Sequence, residues 1–377
     1  MHVVILGAGL IGRAMAIDLA ADRELNITVA DRDVKVLQTL TEYPGITTQV
    51  VDVTELGVLE NLVNQCDVCI NALPGFMGFE VLRKVIALKR NIVDIAFSPE
   101  NPLTLNDLAR ANGVTALVDC GVAPGMSNLL VGYAASLLGK VKRVRILVGG
   151  LPKERRLPWE YKAVFSPIDV IEEYTRPARL KENGRIVVKE PLSEPEFIDF
   201  PGVGTLEAFN TDGLRTLLET IDAPDMVEKT LRYPGYREKI LLLKQAGFLN
   251  DQPIQIKDCA LSPLDMTARI LIKQWELKEG DHDLTILRVD VEGEKQGYRF
   301  EIFDTYDPKA KIHSMARTTG FTATIMTRAL LKGMIKETGI IPPEKLGHDY
   351  ELVSFVFDEL KKRGIHYNQK KMERFDG

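Results

Sequence analysis

Over the first 120 residues, short runs of apolar and β-branched residues alternate with stretches whose apolar positions recur at helical spacing. His2 to Leu6 is the first such run, and an alanine-rich helix from Leu10 to about Ala21 follows it after one tight turn. Further strands are predicted at Asn26 to Ala30, Thr47 to Val51, Val68 to Asn71, Ile92 to Ile95 and Ala116 to Val118. Helices fall between them at Val34 to Leu40, Leu56 to Asn64 and Phe79 to Leu88. Such alternation predicts an α/β fold with a mostly parallel, doubly wound sheet.

The texture changes near Gly121. A helix from Met126 to Leu138 precedes strand-like runs at Val144 to Val148, Arg185 to Val188 and Thr285 to Val291, the last joined across Glu292 to Gln296 to Tyr298 to Phe303. Hairpins of this kind predict a mixed or antiparallel sheet in a separate α+β substrate domain. Helical spacing returns at Thr319 to Lys332 and Tyr350 to Arg363. The expected division is a dinucleotide domain over 1–121, a substrate domain over 122–314, and C-terminal helices over 315–377 that pack back on the first domain.

Composition narrows the class without changing this outline. With 377 residues, 45% hydrophobic and 27% charged, the chain has an ordinary globular balance and enough length for two cores. A net charge of −5, mixed along the chain, argues against a nucleic-acid partner. No apolar run approaches the roughly 20 residues that span a bilayer, so no membrane association and a cytoplasmic location are expected. Cys66 and Cys69 form a C-x-x-C pair, but Asp67 to Ile70 reads as a buried strand, no second pair or histidine cluster follows, and no metal site is predicted.

The clearest chemistry lies at the N-terminus. Gly7-Ala8-Gly9-Leu10-Ile11-Gly12 begins just after a strand and opens a helix, as in a Rossmann-type dinucleotide domain. Gly7 permits the turn, Gly9 lets a pyrophosphate approach, and Gly12 lets helix and strand pack, with Leu10 and Ile11 supplying amides at the helix start. Asp31, ending the second strand, is placed for ribose hydroxyls and disfavours a 2′-phosphate, so NAD is expected; Arg32 leaves NADP possible. Asp52 and Val53 are candidates for the adenine side. Asn71, Ala72, Leu73 and Pro74 sit where the nicotinamide half passes. Asp94 points to the same crevice as a candidate substrate contact, or serves only as a helix cap.

Asp119-Cys120-Gly121-Val122-Ala123-Pro124-Gly125-Met126-Ser127-Asn128 resembles the saccharopine dehydrogenase family, and within it the branch containing L-lysine 6-dehydrogenase. The resemblance extends through Tyr161 to Pro167, Glu172 to Pro177, Leu206 to Thr216, Thr230 to Gly235 and Thr318 to Gly320, nearly the whole chain. It implies hydride transfer between a nicotinamide and a C–N bond of an amino acid: for lysine, oxidation of the ε-carbon to an imine that hydrolyses to allysine and ammonia. Asp119, at the domain junction and matching an acidic position of the related saccharopine reductases, is the first candidate to contact the reacting amine, as base or as anchor. Lys162, in a Tyr-Lys pair, is a second candidate for proton transfer, or a solvated lysine. Arg232 offers a planar fork for an α-carboxylate, or an internal ion pair. Phe165, Thr211, Asp212 and Thr230 are pocket residues by resemblance, Asp212 alternatively capping a helix from Gly213. Asn128 either bridges cofactor and substrate or settles its turn.

Where the reductases and carboxynorspermidine dehydrogenases commonly carry a second aspartate before Pro-Gly, this chain has Ala123, which sets it apart from them. Saccharopine or carboxynorspermidine chemistry nevertheless remains an alternative, as does a protein that binds dinucleotide without turnover. The resemblance also implies a homodimer.

Overall fold

Residues 1–55 and 57–373 are described in a computed structural model. The first part runs β1 (His2–Leu6), α1 (Leu10–Ala20), β2 (Asn26–Asp31), α2 (Val34–Gln38), β3 (Ile46–Val50), α3 (Val58–Val63), β4 (Val68–Asn71), α4 (Gly75–Ala87), β5 (Asn91–Asp94), α5 (Asn106–Ala111) and β6 (Thr115–Leu117). Every predicted element of this part is present, with ends displaced by a few residues. Leu56, the predicted start of the third helix, lies outside the described residues.

The remainder runs α6 (Met126–Leu138), β7 (Val141–Pro152), α7 (Pro167–Thr175), β8 (Ala178–Glu182), β9 (Arg185–Lys189), β10 (Glu196–Phe200), β11 (Gly204–Asn210), α8 (Leu217–Thr220), β12 (Asp225–Arg232) and α9 (Tyr236–Gln245). It continues with β13 (Ile254–Ile256), β14 (Cys259–Leu261), α10 (Pro263–Trp275), β15 (Asp283–Gly293), β16 (Gln296–Thr305), α11 (Ser314–Leu331), β17 (Gly339–Ile341), α12 (Tyr350–Lys362) and β18 (Asn368–Glu373).

Seven strands form a parallel sheet in the order β17-β6-β5-β4-β1-β2-β3. The order reverses between β1 and β4, and the carboxyl ends of those strands open the crevice where such sheets bind ligands. A second, nine-stranded sheet runs β10-β11-β12-β7-β15-β16-β18, with β8 and β9 branching from β12. Its β12–β7 pair is parallel and its other pairs are antiparallel, so the sheet is mixed. Among the described residues, no helix is long and apolar enough to cross a membrane.

One hydrophobic cluster joins the two sheets. It runs from Val3 and Ile5 through Met15 of α1, Leu129 of α6 and Phe321 of α11 to Ile146 and Val289 of the second sheet. Helix α11 is buried from Ser314 to Ala329 although it is rich in threonine. Thr318, Thr322 and Thr327 each turn their hydroxyl back to a carbonyl four residues earlier, at 3.0, 2.8 and 2.8 Å, so no polar atom of theirs needs water. Gly320 brings α11 against α1: a Cβ there would lie 3.0 Å from Met15 Cγ. Asp18 of α1 then receives Arg328 at 2.7 Å and Arg363 at 2.6 Å, which binds the C-terminal helices to the first sheet by charge as well as by packing.

Candidate active site

The turn between β1 and α1 is shaped by contacts that exclude side chains. A Cβ on Gly12 would stand 2.0 Å from the Gly7 carbonyl oxygen, and one on Gly7, whose φ is +100°, would stand 2.7 Å from that of Ala72. Above Gly9 there is open space. Helix α1 begins with no capping side chain and no acidic residue in its first turn, so its first amides and positive dipole end are free for an anion. Asp31 is fixed at the crevice edge, its Oδ2 accepting from the Ala8 amide at 2.7 Å and its Oδ1 from that of Asp33 at 2.8 Å. Arg32 is exposed beside it. These residues fit a dinucleotide: a pyrophosphate over Gly9 to Gly12 and a ribose beside Asp31. Asp52 accepts from the Thr54 amide and hydroxyl, bonds that hold its carboxyl below the usual range, while Val53 is buried. The Ala72 amide prolongs the ladder to Leu6, which sets Ala72, Leu73 and Pro74 at the same strand ends.

Behind that rim lie two carboxyls. Asp94 is buried, and its Oδ1 accepts from Asn71 Nδ2 at 2.7 Å and from the Ala96 amide at 3.3 Å. Burial, and then the nearby charge of Asp119, push its pKa up to about 8, so Asp94 carries a proton at neutral pH. Asn71 and Asp94 Oδ1 therefore hold the strand ends together, and Asp94 Oδ2 makes no hydrogen bond among the described residues.

Asp119 stands just beyond β6 with φ +53° and 2% exposure. Arg215 Nε donates to its Oδ1 at 3.2 Å, and its Oδ2 is buried without a partner. Arg215 was not among the residues singled out from sequence. It sits in a loop 96 positions away, where no spacing links it to Asp119.

The second domain supplies the opposite wall. Asp169 of α7 accepts from the Gly75 amide at 3.1 Å, so it caps α4 of the first domain. Burial raises its pKa to about 6. On β12, Glu228, Thr230 and Arg232 share one face. Glu228 Oε2 accepts from Thr211 Oγ1 at 2.6 Å and the Gly213 amide at 3.0 Å, and the Thr211 and Thr230 hydroxyls lie 2.9 Å apart. Burial drives Glu228 up to about 8.

Several expectations for this wall need correction. The Arg232 fork is already engaged: Nη2 donates to Glu173 at 2.9 Å, Nε to Tyr174 Oη at 3.2 Å, and the guanidinium stacks 4.7 Å from the Tyr161 ring. The internal ion pair is thus its observed state. Asp212 caps no helix, because α8 starts only at Leu217; it receives Arg179 through two nitrogens at 2.9 and 2.7 Å. Asn128 is fully buried, with its amide spent on Thr216 at 3.4 Å and Glu344 at 3.1 Å, so it settles the junction. Lys162 donates to the carbonyl of Glu276 at 2.6 Å and stands 3.5 Å from Asp281, capping the end of α10 instead of facing Asp119. Phe165 is half-buried between the core and an aromatic cluster of Tyr161, Tyr174, Tyr236 and Trp275. Cys66 and Cys69 are buried free thiols, Cys66 raised to about 11 by burial, which makes them inert.

Residues 121–365 match the family model described as saccharopine dehydrogenase C-terminal domain, and residues 3–117 match saccharopine dehydrogenase NADP binding domain. The chain belongs to the saccharopine dehydrogenase family. Among its relatives in that family, the saccharopine dehydrogenase (NADP(+), L-glutamate-forming) of Saccharomyces cerevisiae is 24% identical over 450 residues, covering 98% of this chain and 99% of the relative. The carboxynorspermidine synthase of Vibrio cholerae is 22% identical over 93% of each chain. A solved structure of the yeast saccharopine dehydrogenase superposes with a TM-score of 0.79 at 21% identity, covering 98% of this chain and 99% of that one, which establishes the shared saccharopine dehydrogenase fold.

Proposed function

We propose that the chain is a nicotinamide-dependent dehydrogenase that oxidises the ε C–N bond of L-lysine, giving allysine and ammonia once the imine hydrolyses. The observation that carries this reading is the unpartnered Oδ2 of Asp119, buried at the junction of the two domains. An ammonium nitrogen has no lone pair to push out a hydride, so the site must first take its proton. In this reading Oδ2 of Asp119 receives that N–H and accepts the proton, while Arg215 holds the other oxygen. Asp94, already protonated, does not compete for it. The bound nicotinamide supplies the hydride acceptor. The amides of Leu10 and Ile11 would hold its pyrophosphate, and the Asp31 carboxylate favours an unphosphorylated ribose, hence NAD, although the family description and the fungal relatives name NADP.

Saccharopine is the second reading, favoured by the yeast relative's coverage of both chains. It breaks a bond at the same carbon, with glutamate in place of ammonia as the leaving amine. Lysine is preferred because the yeast alignment runs over 450 positions against a chain of 377, so the relative carries insertions that this chain does without, and because Ala123 replaces the reductases' second aspartate.

Purified protein is to be assayed with NAD and NADP against lysine, ornithine, saccharopine and carboxynorspermidine by absorbance of the reduced nicotinamide. Lysine-dependent reduction with ammonia release is expected, strongest with NAD and abolished in Asp119→Asn with dinucleotide affinity retained. Turnover of saccharopine alone, with glutamate released, would transfer the assignment to the second reading. Full activity of Asp119→Asn would remove that residue from the mechanism.

A further inference from the structure

We propose that Arg215 is the positioning residue of Asp119, so that the reacting carboxylate is assembled from both domains. The inference rests on the reading of Asp119 as the amine-contacting group. Three observations converge on it. The guanidinium spans the boundary: Nε donates to Asp119 Oδ1 at 3.2 Å, and Nη1 donates to the carbonyl of Ser98, just beyond β5. It lies 5.3 Å from the Phe97 ring, whose carbonyl accepts from Arg176 at 3.3 Å, so the strand end that carries Asp94 is held by two arginines of the second domain.

Both partners also adopt a backbone conformation that non-glycine residues avoid, φ +53° at Asp119 and φ +52° at Arg215. Two side chains so placed at either end of one ion pair indicate a geometry that the surrounding structure enforces. Finally, the pairing is one-sided. A guanidinium can take a carboxylate through both oxygens, yet here it takes Oδ1 and leaves Oδ2 bare inside the protein. An oxygen left this way is costly unless something else binds it, and a substrate ammonium is the donor that the proposed reaction brings.

The groups facing Asp119 define what Arg215 does. Asp94 approaches from β5, and Arg179 from β8 is near enough to feel the Asp119 charge. With a second carboxyl alongside, the guanidinium is the cation that holds the Asp119 oxygen in place against its neighbour.

The test compares Arg215→Gln and Arg215→Lys in the full chain. In Arg215→Gln, kcat should fall about 100-fold with NAD affinity unchanged. Arg215→Lys should recover at least about tenfold of that loss, because it restores the charge without the planar fork. A lowered kcat with no recovery in the lysine variant would overturn the proposal. Inactivity of Asp119→Asn beside normal kinetics of Arg215→Gln would sink this inference while leaving the assignment of Asp119 intact. Should neither lysine nor saccharopine be turned over, melting temperatures of the Asp119→Asn, Arg215→Gln and double variants decide: non-additive shifts support the pair, additive ones refute it.

Discussion

Glu228 shows at the scale of one residue how the second domain is tuned. Its carboxyl is buried and sits at a pKa of about 8, against an ordinary value of 4.5. Between those values the folded protein keeps a proton that the unfolded chain has lost, so stability falls as pH rises through this window and levels off above about 8. The slope for one such group is on the order of 1 kcal/mol per pH unit. Glu228→Gln keeps an acceptor for Thr211 and Gly213 and removes the ionisation. Its melting temperature relative to the parent should therefore improve steadily from pH 5 to pH 8.5, as read by thermal denaturation across that range; a constant offset would mean that Glu228 is ionised throughout. Nothing in the local sequence marks this residue. It lies in an ordinary strand, and its state depends on Thr211 and the α7 carboxylate Glu173, both distant in sequence.

The first element pair, β1 with α1, was legible because its requirements are local. Glycine at positions 7 and 12 is demanded by backbone oxygens within the same motif or one strand away, and the apolar run before it declares the strand. Gly12→Ala should give a folded protein whose NAD affinity, measured by fluorescence titration, drops by about tenfold or more, because the added methyl meets the Gly7 carbonyl and forces the turn apart. Unchanged affinity would place the phosphates elsewhere. The wall of the substrate side was less legible, and for a reason that applies to each residue misplaced there. Lys162, Asp212, Asn128 and Arg232 are polar residues in recognisable motifs, but a motif does not say which of them finds a partner inside its own domain. Each found one, whereas Asp119 Oδ2 at the junction has none, like Tyr161 Oη and Glu207 Oε2 elsewhere. Strand β17 escaped notice for a different reason: three residues, Gly339 to Ile341, are too few to show a period.

At the scale of the whole molecule, the two sheets share a single core threaded by α11, and the first sheet is finished by a strand from the far end of the chain. A fragment of residues 1–121 would lack β17, one of the two partners of β6, the helix that covers α1, and both arginines that meet Asp18. It should be largely unfolded or aggregated by circular dichroism and sedimentation, whereas an independently folding glycine-turn domain would give a cooperative melt.

The late arrival of β17 has a consequence for the order of events in the cell. The chain leaves the parallel sheet after Leu117 and re-enters it at Gly339, with the entire second sheet made in between. A nascent polypeptide emerging from the ribosome thus exposes an unfinished sheet edge and an uncovered α1 until synthesis has passed Ile341. The glycine turn comes first in the sequence, yet the helix that backs α1 is made only when synthesis has passed Leu331.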